Sequence, residues 1–190
     1  MTTADEVARI LEGEPQREQR ILNFGALLAR ESGSEVVVVG GSAIEVYTRG
    51  RIVSDDIDIR AERSKIWKVL GEWGFRDHGK TWIRSDWKIA IDVVGDKYSG
   101  DPYRTRLVST RYGPVRLAAV EDLIVKRLAS AKHWQQPRDV GQAALLLELY
   151  TAEIDQTYLE QMARQYVVSD LLTEVQTKPK RRKQSSETSK

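Results

Sequence analysis

Asp56 and Asp58 lie one residue apart in the segment Ser54–Ile59, with Ile57 and Ile59 at the alternating positions. In a strand, residues i and i+2 point to the same face, so the two carboxylates project side by side and the isoleucines face the other way. Carboxylates this close repel, and one pKa rises unless a cation sits between them. An apolar back behind paired acids suits a divalent metal; a solvated edge strand would carry the same alternation. By parity Asp55 falls on the isoleucine side, at the strand entrance. A third acid, Asp92, interrupts the apolar run Ile89–Val94. A buried strand aspartate is costly unless paired or metal-bound. Asp92 follows Asp58 at the spacing of a strand, a helix and a further strand, so their two strands are expected to be neighbours; Asp96 is a rival acid. Upstream, Gly40–Gly41–Ser42 follows the β-branched run Val36–Val39. Glycines at a strand-to-helix turn let backbone approach a ligand, and the helix N-terminus behind them favours phosphate.

Other chemistries are excluded by composition. The chain has 190 residues, no cysteine and two histidines, His78 and His133, at no metal-ligand spacing. Thiolate zinc sites, iron–sulfur clusters, disulfides and cysteine nucleophiles are therefore absent. Carboxylates, hydroxyls, Lys/Arg and hard cations such as Mg²⁺ or Mn²⁺ are what remain. The N-terminal segment carries acids and no long apolar run, and no stretch approaches the roughly 20 apolar residues of a membrane span. A cytoplasmic protein with no membrane partner is expected.

The elements that must position these residues follow from pattern. The first thirty residues read as helical, with Pro15 placed to start a helix and Ile21, Leu22, Phe24, Leu27 and Leu28 at helical spacing. Val36–Val39 reads as a buried strand, Ala43–Thr48 as a short helix, Asp56–Ile59 as a strand and Ser64–Trp73 as a helix. Thr81–Ile83 with Lys88–Val94, and Leu107–Thr110 with Val115–Leu117, read as hairpins. From Val120 onward the pattern is helical: Val120–His133, Asp139–Tyr150, Gln156–Tyr166 capped by Asp155, and a last short helix capped by Ser169. The expected fold class is α+β, a mixed sheet with flanking helices and a helical C-terminal third. The expected organisation is a core over 1–118, a helical region over 119–176 and a disordered basic tail over 177–190.

The glycine–serine turn, the Asp-x-Asp pair and the distant strand aspartate together resemble the nucleotidyltransferase superfamily typified by polymerase β. The matching segments are VVGGSAIEVYTRGRIVSDDIDI and AIDVV, within about residues 35–95. The segment from Val115 is similar to small bacterial nucleotidyltransferase-like proteins and to AbiEii-type toxin nucleotidyltransferases. Glu121–Asp122 with Lys126, then Arg138–Asp139, carry that likeness. Val120 stands where those proteins usually have proline, and Gln142 where a second acid often follows.

The resemblance implies a catalytic, metal-binding trio of Asp56, Asp58 and Asp92, with Asp92 completing the metal site or helping to deprotonate the acceptor hydroxyl. Gly40, Gly41 and Ser42 would bind the nucleotide phosphates, and Lys126 would offer them a cation. Arg138 and Asp139 are either further nucleotide-binding residues or a structural ion pair. Trp82 or Trp87 is available to stack a base. The implied substrate is an NTP, and the implied acceptor a hydroxyl of tRNA or of a partner protein in a toxin–antitoxin setting. A small-molecule nucleotidyltransferase of the antibiotic-modifying kind shares the pattern, and so does a non-catalytic binding or antitoxin module.

Charge refines the partner expectation. The net charge is +2, but residues 178–190 hold six Lys/Arg and one Glu. Residues 1–177 therefore carry a small acidic excess. The body points to a metal and a nucleotide, and the basic tail raises a nucleic-acid partner as a separate question.

Overall fold

Val36–Val39 is apolar on both sides, and the structure buries it at the middle of a sheet. The computed structural model describes residues 2–177; the tail expected to be disordered lies, from residue 178 on, outside the described residues. Two helices come first, α1 (Ala4–Glu12) and α2 (Arg17–Ser32), with Pro15 in the link between them rather than inside a helix. Then follow β1 (Val37–Val38), α3 (Gly40–Tyr47), β2 (Ile57–Arg60), α4 (Arg63–Glu72), β3 (Arg76–His78), β4 (Thr81–Arg84) and β5 (Ile89–Gly95). The hairpin β6 (Arg106–Thr110) and β7 (Gly113–Leu117) closes the sheet. Helices α5 (Val120–His133), α6 (Pro137–Leu149), α7 (Gln156–Gln165) and α8 (Ser169–Thr177) complete the chain.

Among the described residues the seven strands form one mixed sheet in the order β3-β4-β5-β2-β1-β7-β6. The neighbours expected from spacing are neighbours: β2 pairs with β5 in parallel, and Asp58 is in register with Asp92. Both hairpins read from the sequence form. Most element ends shift by a residue or two, and three differences stand out. Helix α3 begins at Gly40, so the glycines are its first turn and not a loop before it. Asp56 lies just before β2 instead of inside it. Strand β3 has no counterpart in the sequence reading, because its three residues are all exposed and show no apolar alternation.

One sheet face carries Ile57, Ile59, Ile91 and Val93, all buried. Helix α2 packs across β6 and β7 and against α4. Gly25 allows the close approach, since a Cβ there would stand 2.9 Å from the Val115 side chain. The opposite face presents Asp58, Arg60 and Asp92 at the alternate positions.

The helical third joins the sheet through buried polar contacts. Asp122 on α5 is 1% exposed. It accepts hydrogen bonds from the Tyr98 hydroxyl and, at 2.9 Å, from the Tyr158 hydroxyl. Burial and the adjacent carboxylate push the Tyr158 pKa up to about 12 and raise that of Tyr98 further, so both phenols stay protonated donors. Glu121 accepts the Asp155 N–H at 2.9 Å, and the Tyr47 hydroxyl reaches the Ala118 carbonyl at 2.8 Å. One apolar cluster runs from Val7 to Leu172 through both halves. Asp155 caps α7 as expected, accepting from the Tyr158 N–H at 3.1 Å.

Asp122 therefore ties the loop after β5 to α5 and α7. Asp122→Ala is expected to cost about 3 kcal/mol, since two phenol hydroxyls lose their partner in a buried setting. Tyr158→Phe, which removes the bond to Asp122 and the 3.3 Å bond accepted from the Asp101 N–H, is expected to cost about 2 kcal/mol. Urea denaturation of the three proteins measures both values.

Candidate active site

The three aspartates singled out in the sequence converge. One carboxylate oxygen from each of Asp56, Asp58 and Asp92 lies within 4.8 Å of the others, and each residue is half-buried. Register produces part of this arrangement: the parallel β2–β5 pairing sets Asp58 beside Asp92 on one face. Asp56 reaches the group from the loop just ahead of β2.

Electrostatically the trio is unfinished. Burial pushes the Asp58 pKa up to about 6; the Asp56 and Asp92 charges add to this, while the Gly41 N–H and the Arg127 charge oppose it. Asp92 Oδ1 is buried with no hydrogen-bond partner. An orphaned carboxylate oxygen beside two further carboxylates fits a divalent cation, which would satisfy the oxygen and cancel the repulsion. The all-oxygen donor set is suited to Mg²⁺ or Mn²⁺.

Gly40–Gly41–Ser42 serves this trio directly. Gly40 has φ +57°, and a side chain there would overlap the Asp58 carboxylate. The Gly41 N–H donates to Asp58 Oδ2 at 3.3 Å. Ser42 is fully buried: its hydroxyl donates to the Val39 carbonyl at 3.1 Å and accepts the Asp58 N–H at 3.1 Å. The expectation for Ser42 was a contact to phosphate. The structure turns its hydroxyl inward, where it fastens α3 to β2, and both of its hydrogen-bonding directions are taken. The motif thus seats Asp58 at the N-terminal end of a helix, which favours the carboxylate's charge.

The cations expected beside the trio are arranged differently from the sequence reading. Lys126 donates to Ser99 Oγ at 2.9 Å and lies 5.6 Å from the Tyr98 ring centre. Burial lowers its pKa, the Asp122 charge raises it and Arg60 lowers it again. The neighbouring Arg127 is the residue that faces the motif: a guanidinium nitrogen lies 3.6 Å from where a Gly41 Cβ would stand. Asp139, 3% exposed, meets Arg127 at 3.6 Å from α6. Asp139 is thus a partner of Arg127 and not of Arg138, which is exposed. Gln142, one turn later, keeps its side-chain oxygen buried without a partner. Sequence reasoning missed Arg127. Its signal was position: it falls four residues after Leu123 and three after Ile124, on the apolar stripe of α5. Trp82 and Trp87 take structural places, Trp82 stacked with Trp67 and Trp87 edge-on to Phe75.

No protein-family model matches the chain, and no curated protein matches it. Among solved structures it is similar to the solution structure of the antibiotic-resistance factor ANT(2'')-Ia, with TM-score 0.55 and 15% identity, over 82% of this chain and 95% of that one. The likeness shows the fold. It is an α+β fold with a mixed sheet and a helical C-terminal third, as the sequence reading expected, and that structure shares it. No helix among the described residues is long and apolar enough to cross a membrane.

A pH dependence follows from Asp58. Its pKa is raised in the folded chain, so the metal-free protein holds an extra proton between pH 4 and 6 and loses stability as pH rises through that window. A bound cation needs the carboxylate ionised, so binding competes with that proton. The rise in melting temperature on adding Mn²⁺ is expected to be large at pH 8 and small at pH 5. Asp58→Asn is expected to raise the melting temperature of the metal-free protein at pH 8 and to abolish the Mn²⁺ effect. Calorimetric scans at the two pH values measure both.

Proposed function

We propose that this protein is a metal-dependent nucleotidyltransferase that moves an NMP from an NTP to an acceptor hydroxyl. The observation that carries the reading is the convergence of Asp56, Asp58 and Asp92 beside the Gly40–Gly41 helix start, on a nucleotidyltransferase-like fold.

In such a transfer the acceptor oxygen forms a bond to the α-phosphorus, the bond to the pyrophosphate oxygen breaks, and the acceptor proton leaves to a base. Asp56, Asp58 and Asp92 would hold Mg²⁺ or Mn²⁺, which when bound supplies charge neutralisation at the phosphate oxygens. Asp92 would complete the metal site or help to take the acceptor proton. Arg127, oriented by Asp139, supplies a fixed cation for the triphosphate next to the α3 N-terminus. Lys126 adds a second positive charge on the same helix. Gly40 and Gly41 keep the approach free of side chains.

For the acceptor, the charge of the cleft supports a polyanion such as tRNA. Three buried carboxylates of α5 and α6 are committed internally: Glu121 to Asp155, Asp122 to two tyrosines, and Asp139 to Arg127. Arg60 and Lys126 have no carboxylate within ion-pair distance among the described residues, and Arg60 donates to the Lys97 carbonyl at 3.0 Å. An acceptor hydroxyl on a partner protein, in a toxin–antitoxin setting, uses the same site. The second reading is a small-molecule acceptor, which the likeness to an antibiotic-resistance factor favours.

The test is labelled transfer. The protein is incubated with each α-labelled NTP, Mg²⁺ or Mn²⁺, and total tRNA, a candidate protein partner or an aminoglycoside. Label is expected on tRNA; label on the aminoglycoside alone would select the second reading. Asp58→Ala and Asp92→Ala are expected to lose transfer by at least about a thousandfold, and Arg127→Ala by about a hundredfold. If no label moves to any acceptor and neither Mn²⁺ nor NTP binds, the enzyme reading fails and a non-catalytic binding module takes its place.

A further inference from the structure

Asp56 is the one acid of the trio that lies outside a strand, so no ladder hydrogen bonds hold it against its two like-charged neighbours. Its restraint begins two residues earlier. The Ser54 N–H donates to Glu45 Oε2 at 2.8 Å, and the Ser54 carbonyl accepts from the Arg17 guanidinium. Arg17 Nε meets Glu45 Oε1 at 2.8 Å. The two side chains close around both backbone polar groups of Ser54. Ser54 Oγ then donates to Asp56 Oδ1 at 3.3 Å and packs against Gly41.

Glu45 sits on α3, one turn beyond Gly41, and its side chain is 0% exposed. A carboxylate that deep is costly to bury and persists only when its oxygens are paired. Here one oxygen lies against the guanidinium as an ion pair without hydrogen-bond geometry, and the other accepts a backbone N–H. Arg17, at the start of α2, keeps 43% of its side chain exposed. A half-exposed pair contributes little to stability by itself. What the arrangement does accomplish is placement: α2 and α3 grip the loop that delivers Asp56.

We infer that Arg17 and Glu45 are positioning residues for the acid trio, clamping the loop at Ser54 so that Asp56 stays at cation-bridging distance from Asp58 and Asp92. Without the clamp, repulsion within the trio moves Asp56 outward, because it alone is free to move. The inference rests on the reading of the trio as a metal site.

The experiment uses the full chain and the variants Arg17→Ala, Glu45→Gln, Asp56→Asn and the Arg17→Ala/Asp56→Asn double variant. Mn²⁺ affinity is read from the electron paramagnetic resonance of free Mn²⁺, and the loop from hydrogen exchange of residues 49–56 without metal. Arg17→Ala and Glu45→Gln are each expected to weaken Mn²⁺ binding about tenfold, the scale of outer-shell effects on metal sites. Exchange over 49–56 is expected to accelerate in both. In transfer assays KM for the metal rises by the same factor and kcat at saturating metal stays near wild type. In the Asp56→Asn background, Arg17→Ala is expected to change Mn²⁺ affinity no further. Because Glu45 is buried, Glu45→Gln counts only if its melting temperature stays close to that of wild type; Arg17→Ala decides otherwise. Unchanged exchange and affinity in Arg17→Ala overturn the clamp, and so does an equal loss of affinity in the Asp56→Asn background. A wild-type protein that binds no Mn²⁺ sinks the metal reading and the role assigned to Asp56, while the exchange rates still decide whether Arg17 and Glu45 hold the loop.

Discussion

Repulsion among three carboxylates is the constraint around which the surrounding structure is arranged. Asp58 and Asp92 are held side by side by parallel strands that cannot slip, because a one-residue shift would turn Ile57, Ile59, Ile91 and Val93 out of the core. The apolar face of the sheet thus enforces an unfavourable contact on the polar face. Burial first and then this contact raise the Asp58 pKa, the Gly41 N–H and the Arg127 charge relieve it only in part, and one Asp92 oxygen has no partner. Burial in the core, and not attraction at the site, keeps the acids together.

The Gly-Gly-Ser motif takes on a different meaning in this setting. Read by itself it suggests a cradle for phosphate. In the structure its first duty is to Asp58: Gly40 leaves room for the carboxylate, Gly41 donates to it, and Ser42 bonds the backbone that carries it. The same backbone turn can serve a ligand only where Asp58 leaves N–H groups free. In the proposed transfer, phosphate recognition would then depend more on Arg127, which Asp139 meets from a second helix. A helix start and a guanidinium brought from α5 divide a task that the sequence seemed to give to one loop.

What was legible in the sequence follows the strength of each local signal. The trio was legible because acids at alternating positions among isoleucines and valines have few cheap explanations. Helix α5 was legible to the residue, since its apolar stripe is long and its boundaries coincide with the end of β7 and with Trp134. Strand β3 was not, because an exposed edge strand of Arg76, Asp77 and His78 needs only backbone pairing with β4 and carries no pattern of burial. The choice between Lys126 and Arg127 had only a faint signal, the place of Arg127 on the apolar stripe of α5. Adjacent helix residues differ by about 100° in direction, and only the position of α5 over the sheet decides which one meets the glycines. The bonds of Ser42 to Val39 and Asp58 were beyond reach for a related reason: they depend on where the neighbouring strand is placed.

Partner chemistry turns on where charge is left over, more than on how much there is. The body of the chain carries an acidic excess, yet its acids near the cleft are already used: Glu45 by Arg17, Glu121 by a helix cap, Asp122 by two phenols, Asp139 by Arg127. The cations on the same side are used less completely. Arg60 reaches a carbonyl, and Lys126 reaches a hydroxyl. Carbonyls and hydroxyls satisfy hydrogen bonds without cancelling charge, so these groups stay charged. Counting residues by sign therefore gives the wrong sense of this face. Counting the charges that no opposite charge meets within ion-pair distance leaves three clustered acids and these two cations.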